Sequence, residues 1–560
     1  MNPLLLALTL APAGIPPLAA QSASTGPVIA EIRMQERLNV FDPRLPGEDW
    51  WAFRIANRIH FTTREDVIRR EILPQPGDPF SELRVLESDR NLRAAGSFRR
   101  AEVRAIPRPD GRMDLNVRTQ DSWTTNPHLS AGSEGGEQSF AYGIEEGNLF
   151  GRNKSVAFFH SQKGPNTRND LRYTDPRLVG TRMRLSSMLA NTSHGDSIGL
   201  DLARPFFELD TPYAYGVGWT RVNDQDITYR DGLDYSKFQD YSRTVKLSAG
   251  ARLGHEDSLT QRWEAGWLYQ RSRFTATVDT RPGTLPSDRE LSGPTVGYSW
   301  VQPRYLRETY LDRMERVEDF NLGNELNLLG GYAATALSSD RDRVVFNLND
   351  QQGVRFGPGR FALLRAGAAG RLARQDWDNT LLYAGLNLYW KSLEPWPNTW
   401  AAHVEAVSLR RPDAENQVAL GGDTGLRGYK NNAFVGAKSV LCNLENRFFF
   451  PGEYFHLVRF GGAAFLDSGA VVPEAGGISF ARFKSDIGAG LRISSTRSRS
   501  GGVLRIDMAY ALDHGPGSHW VLSLRGGQAF DLFDNPSRRV RRPPVSRLNE
   551  ISPPEFPSPK

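Results

Sequence analysis

Leu504-Arg-Ile-Asp-Met-Ala-Tyr-Ala-Leu512 decides the fold. Leu504, Ile506, Met508, Tyr510 and Leu512 are apolar and Arg505 and Asp507 stand between them, a two-residue period that gives an extended strand one apolar and one polar face. Trp520, Leu522 and Leu524 repeat the pattern against Ser523 and Arg525. From about Trp123 to Phe533, segments of roughly eight to twelve residues with this alternation succeed one another between turn-rich or charged stretches, and no helix of useful length interrupts them. A strand with one apolar face needs lipid or a core on that side. Each unpaired backbone group in hydrocarbon costs on the order of 2–7 kcal/mol, so strands that cross a bilayer must close into a barrel. A soluble sandwich or propeller shares the alternation, but the exported N-terminus and the long loops argue against it.

At 560 residues the chain exceeds one ordinary core, which favours a small domain beside a large one. A hydrophobic fraction of 39% would suit a soluble protein, yet a barrel shows lipid only alternate residues and reaches the same average. The 53 Gly, 12 Trp, 17 Tyr and 29 Phe separate the two readings, because such density suits many short strands, turns and interfacial girdles. Cys442 is the single cysteine, so no internal disulfide is possible, and it reads as a small apolar filler. A net charge of +5, spread along the chain, excludes nucleic acid as the expected partner. The densest basic cluster, Arg538, Arg539, Arg541 and Arg542, lies in a Pro-rich tail over 534–560 that is expected to be disordered. Leu4 to Ala20 is apolar, ends in Pro-Leu-Ala-Ala and reads as a cleaved signal peptide over 1–20, although no Lys or Arg precedes it.

Residues 21–121 mix helix and strand, unlike the remainder of the chain. Ile29 to Leu38 is strand-like. Thr63 offers an N-cap to a short helix carrying Val67, Ile68, Ile72 and Leu73, which Pro74 and Pro76 stop. Ser81 opens a second helix that ends at Gly96, and strands Arg99–Ile106 and Met113–Thr119 flank the turn Pro109-Asp110-Gly111. This order, with Pro76-Gly-Asp-Pro-Phe80 and Asn91-Leu-Arg-Ala-Ala-Gly-Ser-Phe98, resembles a POTRA domain. It departs from that form between Val40 and His60, where a longer connection carries Trp50 and Trp51.

Leu420-Gly-Gly-Asp-Thr-Gly-Leu-Arg-Gly-Tyr429 is the most specific motif, and it resembles the Arg-Gly-Phe/Tyr loop of the BamA/TamA family of outer-membrane assembly barrels. Leu444-Glu-Asn-Arg447, Phe460-Gly-Gly-Ala-Ala-Phe-Leu-Asp-Ser-Gly469, Gly488-Ala-Gly-Leu-Arg492 and Tyr173-Thr-Asp-Pro-Arg-Leu178 are similar to further family stretches, so the resemblance covers nearly the whole mature chain. It implies a mainly β protein: a transmembrane antiparallel barrel over 122–533 behind one POTRA-like docking domain. It also implies sixteen strands, with the motif on the sixth extracellular loop and five strands after it. Counting alternating segments gives roughly fifteen before Gly421 and five after, about twenty. Either number is even, which puts both barrel ends on the side of the docking domain.

The loop motif is Gly425, Leu426, Arg427, Gly428 and Tyr429. Its glycines let the backbone turn sharply and approach the wall, and Arg427 brings a permanent charge into a confined lumen, where it needs a carboxylate. Alternation supplies candidates: Arg459, Gly461, Ala463, Phe465 and Asp467 share one face and Phe460, Ala464 and Leu466 the lipid face, so Asp467 points inward. Glu445, beside Leu444, does likewise and is the second choice. Gly526 and Gly527 in the last strand and Pro127 in the first weaken the pair that closes the barrel, which fits the lateral gate the resemblance implies.

The expected role is insertion or translocation of unfolded outer-membrane or secreted client proteins, at the outer-membrane bilayer, with the N-terminal domain in the periplasm and a periplasmic or lipoprotein accessory. No catalytic residue, cofactor or metal is expected. Gly195-Asp-Ser-Ile-Gly199 has the spacing of a hydrolase nucleophile, but that chemistry needs a strand, a sharp turn and a helix, and Leu200 to Pro205 reads as strand. The rivals are a passive pore, which needs no POTRA-like domain, and a two-partner secretion translocator, which usually carries two.

Overall fold

The computed structural model describes residues 26–134, 137–163, 166–256, 258–373, 376–499, 502–516, 519–526 and 540–541. The signal-peptide reading over 1–20, Gly527 and nearly all of the 534–560 tail lie outside them. Val540–Arg541, within that tail, pairs with Gln417–Val418.

The N-terminal unit runs β1 (Ile29–Leu38), α1 (Trp51–Ile59), α2 (Glu65–Glu71), α3 (Glu82–Ala94), β2 (Phe98–Pro107) and β3 (Met113–Asp121). β3 lies in the middle, parallel to β1 and antiparallel to β2, which leaves an outer edge on each flanking strand. Ile29, Ile32, Ile68, Ile72, Val85, Leu92, Phe98, Leu115 and Val117 form its core, so the apolar sides of α2 and α3 cover one face of the sheet. Ser81 caps α3 by accepting the Arg84 N–H at 3.4 Å. Thr63 does not cap α2, whose N-cap is Arg64. Its backbone N–H is instead taken by Asp121 at 2.6 Å, and its hydroxyl accepts from Asn148 of the barrel at 2.9 Å. The helix α1 corrects the expectation of a plain connection over Val40–His60.

Twenty strands among the described residues close into one antiparallel barrel, from Thr125–Glu134 to Trp520–Gly526. Sixteen, the number implied by resemblance, is therefore corrected, and the count from alternation stands. Fifteen strands precede the arginine loop and five succeed it. Starting from the end that carries the N-terminal unit, here the near end, every odd-numbered strand runs to the far end. The connection after the fifteenth strand is thus the eighth at the far end, not the sixth. The alternation lies as expected: in Val503–Ala511, Arg505, Asp507 and Ala509 are buried and Met508 is exposed, and Leu466, Tyr142 and Trp267 also look outward. Among the described residues no helix is long and apolar enough to cross a membrane.

The wall is uneven. Tyr213–Arg230 and Leu233–Glu256 pair through eighteen residues, whereas the preceding strand, Gly195–Arg204, reaches only Asn223. Asp224–Arg230 and the returning chain consequently overhang that neighbour at the far end.

Two buried carboxyls tie the N-terminal unit together and to the barrel: Asp121 to Thr63, and Glu87 of α3 to the Leu209 N–H at 2.8 Å. Burial raises both to about 7 from ordinary values of 3.8 and 4.5. The folded protein holds protons here that the unfolded chain releases, so their contribution is full below the ordinary values, falls as pH rises towards about 7 and is flat above. Docking of the N-terminal unit is expected to be tighter at pH 5.5 than at pH 8, at up to about 1.4 kcal/mol per pKa unit. Slower exchange of the Thr63 and Leu209 amides at the lower pH, after correction for intrinsic rates, is the measurement that checks this.

Candidate functional site

The loop after the fifteenth barrel strand has a stem, Gln417–Leu420 against Phe434–Gly436, and a tip that enters the lumen. Gly421 at φ 135° and Gly425 at φ 112° make the two bends, in a region L side chains avoid. Gly428 is needed for a different reason. A Cβ there would meet that of Asp486 at 2.6 Å. Leu420, Leu426, Tyr429 and Ala433 pack on Leu441 and Ala511 of the wall, and the Tyr429 hydroxyl donates to the Ser485 carbonyl at 2.9 Å.

Arg427 is buried at the tip. Its Nε and Nη2 donate to the two oxygens of Asp467 at 2.7 and 2.9 Å, and its Nη1 to Glu445 Oε2 at 2.7 Å. The guanidinium lies over the Phe465 ring, 3.4 Å from its centroid. Asn443 holds the assembly in register by donating to Asp467 at 2.7 Å and to the Gly425 carbonyl at 2.8 Å. The fork therefore engages both candidate carboxylates at once, which a single ammonium could not reproduce.

Glu445 leads further. Its other oxygen accepts from Arg447 Nε at 2.9 Å, and Arg447 Nη1 donates at 2.9 Å to Asp312 and to the Leu311 carbonyl. Both belong to a connection at the near end, between strands Arg289–Val301 and Glu325–Ala333, that folds into the lumen as a hairpin, Tyr305–Glu308 against Glu318–Asn321. Leu311 and Phe320 pack on Phe361, Leu363, Tyr389 and Ala401 of the inner wall, and Met314 on Phe449 and Val503. The base of the hairpin meets α3: Arg93 grips Asp319 at 2.7 and 2.8 Å, Arg307 donates to Asp89 at 2.6 Å, and Arg90 lies 3.8 Å from the Tyr305 ring centroid. Buried ion pairs thus run from the far-end loop through Glu445, Arg447 and the hairpin to the N-terminal unit. Sequence reasoning missed Arg447, two residues from Glu445 and so on the same inward face, and missed the hairpin altogether. Arg492 and Asp507, paired at 2.5 Å, complete the charged cluster.

The barrel closes between its last and first strands. Among the described residues the last and first strands pair through Leu522–Ser133, Ser523–Gly132 and Leu524–Ala131, and the first strand pairs with the second along its full length, Thr125 to Glu134. Pro127 pairs with Ile144 and Gly526 with Leu504, so neither enters the described seam register. Ser197 sits inside a strand, paired with Ala190 and Val222, rather than at a strand-to-helix turn. Glu48, Glu453 and His456 approach one another closely, but Arg497 donates to both carboxylates, at 2.7 and 3.2 Å, and supplies the cation there.

No family model matches the chain. It is 28% identical over 310 residues to the outer membrane protein assembly factor BamA of Neisseria meningitidis, a match covering 50% of this chain and 37% of that relative, so it spans well under half of the relative's length. Among solved structures it is similar to BamA from Haemophilus ducreyi lacking POTRA domains 1–3, at 14% identity and TM-score 0.36 over 90% of this chain and 84% of that one. It is also similar to CdiB from Acinetobacter baumannii, at 14% identity and TM-score 0.45 over 90% and 74%.

Proposed function

We propose that the chain is a BamA/TamA-type outer-membrane β-barrel that inserts or translocates other proteins, with its N-terminal unit in the periplasm. The observation that carries the reading is the contrast between lumen and seam. The lumen holds a far-end loop and a near-end hairpin joined by buried ion pairs, while among the described residues the last and first strands of the wall pair at three positions. A passive pore needs the reverse, a clear lumen and a uniform wall.

The near end supports the same reading. The edge strand β2 borders a cavity of about 1010 Å³ through Phe98–Glu102, next to Asn126 of the first barrel strand and Glu145 of the second. An extended client segment can add to such an edge through backbone hydrogen bonds, with little demand on its sequence, and lie beside the seam. Opening the seam there would offer it an unpaired barrel strand.

Cross-linking tests this. In a Cys442→Ser background, Leu522→Cys with Ser133→Cys places two thiols on facing residues of the seam. In vesicles carrying the oxidised protein, folding of an unfolded client barrel is expected to slow at least about tenfold, the cost of losing one 1.4 kcal/mol step or more, and to recover on reduction. Equal rates in the oxidised and reduced forms would remove lateral opening from the account.

A further inference from the structure

The helix α1 carries an apolar stripe with no cover among the described residues. Phe53 turns inward onto Phe41 and Val40, with Trp123 packed alongside, whereas Trp51, Ile55 and Ile59, one helical turn apart, point outward with Trp50 and Phe61, Ile59 at 64% exposure. Arg54 and Arg58 are exposed beside the stripe. Helices that cover a protein core bury their apolar side, and this one displays it.

Two further observations say what covers it. The stripe is continuous with the barrel rim, because Phe61 meets Phe150 edge-on at 5.6 Å, and Phe150 lies in the connection between the second and third barrel strands. At that rim Phe150 and, in the next near-end connection, Val179 are held in left-handed backbone, at φ 56° and 50°, and remain exposed, Val179 at 89%. A β-branched residue in that conformation is strained, and the strain serves to aim an apolar side chain outward. The second observation is charge: tryptophan with arginine along one apolar helix face matches the boundary between acyl chains and anionic phosphate headgroups.

We infer that α1 lies in the headgroup region of the bilayer leaflet at the near end, Trp51, Ile55 and Ile59 among the acyl chains and Arg54 and Arg58 on lipid phosphates, so that the N-terminal unit binds lipid beside the seam. The inference rests on the barrel's being membrane-embedded. It gives the segment Val40–His60 a purpose: the unit is anchored at two sides, by its ion pairs to the barrel and by lipid under the first strands.

The test uses the full chain with Cys442→Ser, folded into vesicles of phosphatidylethanolamine and phosphatidylglycerol and carrying one environment-sensitive fluorophore on Ile55→Cys, Leu466→Cys or Ile106→Cys. Leu466 faces outward in the barrel wall, and Ile106 is exposed near the tip of the β2–β3 hairpin. With lipids bearing a quencher near the headgroup, the Ile55 label is expected to be quenched at least about threefold more than the Ile106 label. Arg54→Gln with Arg58→Gln is expected to reduce that difference in phosphatidylglycerol vesicles and leave it unchanged in purely zwitterionic ones. A quenched Leu466 label with Ile55 quenched no more than Ile106 overturns the inference while leaving the barrel in its membrane. An unquenched Leu466 label overturns the membrane reading and the inference with it. If the Ile55 label is shielded only when periplasmic protein is added, the stripe is a protein-docking face and the lipid assignment is wrong.

Discussion

Replacing Arg427 by alanine is expected to release the loop tip from the lumen and to lower client folding or translocation at least about tenfold. The reason is the imbalance left behind. Asp467 and Glu445 are fully buried, and Arg427 occupies both oxygens of the first and one of the second. Removing one partner of a buried pair costs about 3–5 kcal/mol, because the remaining charge has lost its partner and cannot regain water without rearrangement. Here rearrangement means withdrawal of the loop. Arg427→Lys is expected to recover little, since one ammonium cannot serve a bidentate carboxylate and a second acceptor together. Trypsin cleavage at Lys430 in intact vesicles reads the loop directly, rising sharply in Arg427→Ala; a loop as protected as in the parent protein would mean that its apolar contacts alone hold it.

The second large effect concerns the hairpin in the lumen. Exchanging Tyr305–Asn321 for a short Gly-Ser turn is expected to convert an obstructed barrel into a conducting one in planar bilayers. The flanking strands already meet at Val301 and Glu325, so the ring can close without the hairpin. What is lost is the packing of Leu311 and Phe320 on the inner wall, the Asp312 partner of Arg447, and the Asp319 and Arg307 links to α3. The same variant therefore cuts the connection between the far-end loop and the N-terminal unit, and a rise in trypsin cleavage at Lys430 is expected alongside the conductance. Conductance equal to that of the parent protein would show that the hairpin does not set the permeability.

The barrel was legible because its signal is local. A period of two over a few residues needs no knowledge of distant partners, and it gave the strand total more closely than a likeness to sixteen-stranded barrels. The inward aim of Asp467 and Glu445 comes from the same rule. What stayed hidden depends on contacts between segments far apart in sequence. Asp312, Arg307 and Asp319 sit in a charged connection that reads as a solvated turn, and only the fold shows them reaching Arg447, Asp89 and Arg93. The helix α1 was missed because Trp50 gives it no side-chain cap and its apolar stripe faces away from the unit's own core.

The overhanging strands Tyr213–Arg230 and Leu233–Glu256 bear on what can reach the loop from the far end. Seven residues at about 3.3 Å each raise this stretch of wall roughly 20 Å above its neighbour. Their turn bends over the mouth, where the Gly232 N–H donates to the Asn432 carbonyl and the Tyr229 N–H to Gln417. Under the proposed orientation, which puts the far end outside the cell, a large particle arriving there would touch this parapet, Leu233 foremost, before anything beneath it. The crest can then vary in sequence while the arginine below stays out of reach.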